Sequence, residues 1–268
     1  MTGRSHDSPA CYNCGALLHG RFCANCGQEN QPLDPSVGDV VREVAREVSA
    51  LDGRIVGSVR RLFLSPGFLT LEHFQGRRAA WVSPVRLYLI FSVCYFALVA
   101  LTGDSPLELN INFTSDDGEQ NTRAIQELGY ASEEEIDRAA SEALTTWIPR
   151  AMFVLVPLFG WLVFVARRRS GRKYPHHLIF ACHVFAAFFG VQSIAVAVGY
   201  LSGSTVVKSV LGIGSFLYAM VYMILAMKVV YGGTSARALA HTILVLAFYW
   251  VATIVVAGAI IAPLLFWN

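Results

Sequence analysis

The chain has 268 residues, 54% of them hydrophobic and only 15% charged, with a mean hydropathy of +0.49. That balance excludes an ordinary soluble domain, in which about a quarter of the residues are charged. The net charge of +2 matters less than where the charges lie: all 19 carboxylates fall at or before Glu142, so the remaining sequence holds none. A carboxylate without a partner is costly in a low-dielectric medium, and a long stretch free of them fits membrane surroundings.

In chain order, the first feature is a pair of near-copies, Cys11-Tyr12-Asn13-Cys14-Gly15 and Cys23-Ala24-Asn25-Cys26-Gly27. Two residues between cysteines let both thiolates of one turn face one metal, and the following glycine permits the positive φ that closes the turn. Two such knuckles supply four thiolates, which suits tetrahedral Zn²⁺. Residues 1–30 are therefore read as a zinc ribbon holding one structural ion through Cys11, Cys14, Cys23 and Cys26. The eight residues between Cys14 and Cys23 suffice for a short hairpin but not for a helical finger. Iron in the same four-thiolate site stays open on ligand type alone. Four thiolates leave no coordination position for water or substrate, so the metal shapes the head and does no chemistry. So small a unit is expected to fold only with its metal. Tyr12, Leu17, Leu18, His19, Arg21 and Phe22 are its candidate contact residues, and with only Arg4 and Arg21 as permanent cations no nucleic acid is expected. The polar, cysteine-bearing N-terminus does not read as a signal peptide.

Residues 31–84 read as a cytoplasmic amphipathic helix followed by a segment leading into the membrane. Apolar residues recur at helical spacing from Val37 through Val41, Val44, Val48, Leu51, Ile55 and Val59 to Leu62. Such a helix suits the membrane surface, a partner, or the cytoplasmic ends of the chain's own spans. Arg77, Arg78 and Trp81 follow, residue types that hold anionic headgroups and sit at the interface.

Five apolar runs, at about 85–101, 147–166, 177–201, 207–230 and 239–266, are long enough to cross a hydrocarbon core of about 30 Å. Pro157 inside the second predicts a kink. The predicted fold class is an all-α membrane protein: a five-helix transmembrane bundle in residues 85–268, with the zinc ribbon and amphipathic helix before it. Seventeen of the 21 Lys/Arg side chains fall on the side of the N-terminus if the spans alternate, with Arg167, Arg168, Arg169, Arg172 and Lys173 as the densest group. The positive-inside rule then predicts a multi-pass protein of the bacterial inner membrane, N-terminus cytoplasmic and C-terminus outside. The outside loop 102–146 is acidic, with a short strand expected at 107–113 and a capping box from Ser132 to Glu135 opening a helix.

The remaining candidates are intramembrane or interfacial: His177, His183, His241, Arg77, Arg78 and Arg86. His176 and His177 open the third run, His183 shares a helix face with His176, and His241 begins the fifth. No carboxylate in these runs completes a metal site or a carboxylate relay, which favours hydrogen bonding between helices. Cys94 and Cys182 read as small inert hydrophobes.

The paired CxNCG knuckles, GRRAAWVSPVRLYLIFS at 76–92, YPHHLIFACHVFAAFF at 174–189 and LAMKVVYGGT at 225–234 together resemble a bacterial family. It is the zinc-ribbon integral membrane proteins classed as domain of unknown function 3667. The resemblance implies an inner-membrane protein with a zinc ribbon, draws attention to Gly76, Arg77, Arg78, Pro84, Arg86, Tyr88, His177, His183 and Tyr231, and carries no activity. The leading functional reading is a non-enzymatic adaptor, assembly or regulatory factor, anchored in the lipid bilayer, whose zinc ribbon docks a cytoplasmic protein partner. The alternative is a transporter or channel for a small molecule or lipid that uses His183 and His241; five spans are few for one, so it calls for a homo-oligomer. A lipid-active membrane enzyme built on His176, His177, Arg77 and Arg78 ranks third.

Overall fold

The structure, a computed structural model, describes residues 10–30, 38, 54–103 and 133–266. The expected amphipathic stripe before residue 54, the strand at 107–113 and the cap at Ser132 lie outside the described residues. Among the described residues seven α-helices follow one another: α1 (Ile55–Leu64), α2 (Phe68–Phe74), α3 (Pro84–Thr102), α4 (Glu133–Ala166), α5 (Tyr174–Ser202), α6 (Thr205–Tyr231) and α7 (Ser235–Phe266), with a 3₁₀ turn at Arg168–Ser170. Among the described residues strand pairing is limited to two isolated antiparallel bridges in the head, Ala10 with Leu17 and Phe22 with Glu29.

Helices α3 to α7 are each long and apolar enough to cross a membrane. Their ends outrun the apolar runs by one to several residues, and α4 begins at Glu133, because helical hydrogen bonding continues where the surroundings turn polar. α4 is continuous through Pro149 and Pro157. Local chemistry fixes several ends. Ser83 caps α3, its Oγ accepting from Arg86 N–H at 3.4 Å with Pro84 in the first turn. Ser204 caps α6 by accepting from Val207 N–H at 3.5 Å.

α5 is the hub: it packs on α3, α4 and α6, and 61% of its span is buried inside the protein, against 6% of α7. Close approach is bought with small side chains. A Cβ on Gly160 of α4 would stand 3.2 Å from the Leu178 Cα of α5.

The first two helices form a hairpin wedged into this bundle. Its turn is Ser65-Pro66-Gly67, with Gly67 at φ +81° and backed onto α6, where a Cβ would meet Ala226 backbone atoms at 3.2 Å. Phe63 fills the space a side chain on Gly190 would need and packs edge-on to Phe91 at 5.4 Å. The Phe63 carbonyl accepts from the Tyr218 hydroxyl at 3.1 Å. Gly190 lies sixteen residues beyond the first residue of α5, about 24 Å along the helix axis. The helical periodicity of this stretch locates a helix but carries no depth. Packing supplies it: the hairpin tip reaches well in between α3, α5 and α6. Backbone at such depth is tolerated where protein surrounds it, as it does Gly67 and Leu69.

Candidate metal centre

Each knuckle closes in the same way. Gly15 N–H donates to the Cys11 carbonyl at 2.8 Å and Gly27 N–H to that of Cys23 at 2.9 Å, while Cys11 and Cys23 N–H donate to Ala16 and Gln28 carbonyls, both at 2.8 Å. Gly15 and Gly27 take φ +75° and +72°, the conformation these turns require. The four sulfurs converge: all lie within 4.8 Å of one another, with Cys11–Cys26 at 3.6 Å and Cys14–Cys23 at 3.5 Å. A tetrahedron of Zn–S bonds of about 2.3 Å has sulfurs about 3.8 Å apart. The cluster therefore fits one four-coordinate ion. The Asn of each knuckle reaches the last-named cysteine of the other, Asn25 to Cys14 and Asn13 to Cys26. The Ala16 amide is the main reason the Cys14 thiol is lowered to about 6, with Asn25 next, whereas burial pushes Cys26 up to about 11. Cys11 and Cys23 are buried and Cys14 is exposed.

The Gln28 side chain of the head bonds to the turn that leads into the membrane part. Gln28 Nε2 donates to the Gly76 carbonyl at 2.7 Å, and its Oε1 accepts from Arg78 N–H at 3.1 Å and Ala79 N–H at 3.0 Å. The same turn is held from below by Glu72, which accepts from Arg77 through both oxygens and from Trp81 Nε1 at 3.2 Å. Arg77 thus faces a carboxylate of its own chain. Hydrogen bonds from Arg77, then from Trp81, hold the Glu72 carboxyl below its usual range. Arg54 donates to the Ala79 carbonyl at 2.5 Å and Val82 N–H donates to Ser58 Oγ at 2.9 Å, which ties α1 to the turn.

Beneath the turn lies a buried polar layer. Thr70 Oγ1 of α2 and His183 Nδ1 of α5 are 3.0 Å apart. His73 is buried alongside; burial, then the neighbouring Arg78 charge, lowers it well below the usual histidine value, so it is neutral at pH 7. His176 packs edge-on to Phe74 at 4.9 Å. A small cavity is lined by His73, Arg77, Arg78 and His183.

The sequence candidates divide among separate places. His177 joins α5 to α6, its Nδ1 2.8 Å from the Tyr231 hydroxyl and its ring 6° from parallel to it. His177 Nε2 is buried with no partner among the described residues. His241 donates from Nδ1 to the Arg237 carbonyl at 2.7 Å and lines a different, larger cavity beside Arg167 to Arg169, Arg172 and Tyr231. His183 and His241 do not share either cavity. Arg86 lies in the first turn of α3. Gln28, Thr70, Glu72 and His73 were not singled out from sequence; a lone polar residue has no period or spacing to mark it.

The fold and the centre define a multi-pass helical membrane protein with a four-cysteine metal-binding head. Residues 52–96 match the family described as Protein of unknown function (DUF3667), and in that segment the chain is similar to it. The match takes in the α1–α2 hairpin, the turn at 76–81 and most of α3; the cysteine knuckles and the motifs at 174–189 and 225–234 lie outside it. No curated protein and no solved structure matched the chain.

Proposed function

We propose that the protein is a non-enzymatic adaptor or assembly factor of the bacterial inner membrane, whose head holds one structural Zn²⁺ and docks a cytoplasmic protein. One observation carries the reading. All four sulfurs are committed to a single centre, while Leu17 and Phe22 of the head remain 65% and 56% exposed. Exposed large apolar side chains on so small a unit are a natural contact surface. Zinc is preferred to iron because it needs no redox role and is the usual occupant of two such knuckles. Docking through Gln28 holds that surface at a fixed place relative to the membrane.

The test is site-specific photo-crosslinking in cells from position 17 or 22, with adducts identified by mass spectrometry and metal measured on the purified chain. The expected result is one equivalent of zinc and one dominant protein adduct. That adduct should disappear in Cys23→Ser and in Phe22→Glu. An unchanged adduct from the metal-free Cys23→Ser head would sink the proposal, as would tightly bound iron for the metal assignment.

A further inference from the structure

Between the end of α4, the end of α6 and the start of α7 lies a cleft of about 1040 Å³. Its rim carries Arg167, Arg168, Arg169, Arg172, Arg237 and His241 and no carboxylate. Its floor is apolar, made by Trp161, Val165, Leu244 and Phe248. We propose that this cleft is a binding site for a membrane lipid with an anionic phosphate headgroup, the phosphate on the arginine rim and an acyl chain along the floor.

Three features separate the cleft from the general excess of positive charge on this side of the protein. The first is preorganisation. Arg167 donates to the Tyr231 carbonyl at 2.8 Å and lies over the Tyr231 ring at 5.1 Å. Arg172 donates to the Val230 carbonyl at 3.4 Å and lies over the Phe74 ring at 4.5 Å. Each is held by one edge of its guanidinium, and Arg suits phosphate because its other donors stay in a rigid fork. The second is charge. The chain has no carboxylate after Glu142, and among the described residues none forms an ion pair with these arginines. An anion is the complement that the rim lacks among the described residues. The third is access from the bilayer. Trp161, Leu244 and Phe248 are about half exposed and stand on spanning helices, so a chain already in the leaflet can lie against them. A free phosphate would leave that floor bare.

Native mass spectrometry of the zinc-loaded full chain in detergent tests this. It is titrated with dioleoyl phosphatidic acid, phosphatidylglycerol or phosphatidylcholine, with inorganic phosphate as competitor. One anionic lipid should bind on the order of tenfold or more above phosphatidylcholine, and Arg168→Gln with Arg237→Gln should remove most of that preference. The control pair Arg60→Gln with Lys173→Gln deletes the same charge on the same side but outside the cleft, and should change binding less than about twofold. Leu244→Ala with Phe248→Ala should weaken lipid binding while leaving zinc content intact. Equal loss in the control pair overturns the proposal in favour of general surface charge. So do equal affinity for phosphatidylcholine, displacement of the lipid by equimolar inorganic phosphate, and a dimer that buries Leu244 and Phe248 in place of lipid.

Discussion

Glu72 carries more of the head-to-membrane connection than its single charge suggests. It accepts from Arg77 and from Trp81, residues that flank the backbone amides of Arg78 and Ala79 to which Gln28 is bonded. Hydrogen bonds to a charged acceptor contribute about 1.5–3 kcal/mol, reduced here because Arg77 is partly exposed. The Glu72 carboxyl is lowered from its ordinary 4.5, chiefly by Arg77. A lowered carboxylate contributes stability that is full above that ordinary value and lost as the pH falls through the lowered one. Glu72→Gln should therefore melt below wild type at pH 7, by the equivalent of about 1–2 kcal/mol, and the two melting temperatures should converge in acid. Thermal unfolding in detergent at several pH values measures this; a gap that persists or widens in acid would assign the effect to packing. The four cysteines were legible because CxxC spacing is itself ligand geometry. Gln28, Glu72 and Thr70 were not, since each becomes informative only when a distant stretch of chain is brought against it.

At the scale of elements, the spans and the α1–α2 hairpin contrast in what makes them readable. A run of about twenty apolar residues states its own environment, so α3 and α5 to α7 were legible in place and nearly in length. The hairpin is short, carries Arg60 and Arg61, and shows only helical period; its depth depends on absent side chains, at Gly190 of α5 and at its own Gly67 turn. Gly67 combines two demands, φ +81° and a 3.2 Å approach to the Ala226 backbone, whereas Gly203 between α5 and α6 has φ +61° with open space around it. Replacing Gly203 by Ala should cost only the strain of the left-handed conformation, about 1 kcal/mol. Gly67→Ala should cost that and more, because the backbone it would strike cannot rotate away as a side chain can. Melting temperatures of the two variants in the same detergent decide it. Equal shifts would mean that the hairpin turn is looser against α6 than its contacts indicate.

For the whole molecule, alternation of five spans places the start of α3, the end of α4, the start of α5, the end of α6 and the start of α7 on one side, together with the head docked at 76–79. That side holds 17 of the 21 lysines and arginines, so head, arginine rim and lipid cleft face the same compartment. The prediction is that this compartment is the cytoplasm. Alkaline phosphatase fused after Asn268 should then be active and green fluorescent protein at the same position dark, with the reverse for fusions after Gly233 between α6 and α7; fusions after Thr102 and after Ser202 should behave like those after Asn268. The assay reaches beyond orientation because the parts depend on it in different ways. In the reversed orientation the four thiols would meet an oxidising space and form disulfides in place of a metal site. The lipid cleft would survive inversion, since its arginines need only an anionic leaflet. A bright green fluorescent fusion after Asn268 would therefore overturn the zinc head and its cytoplasmic partner together, yet leave the cleft to be judged by its own lipid titration.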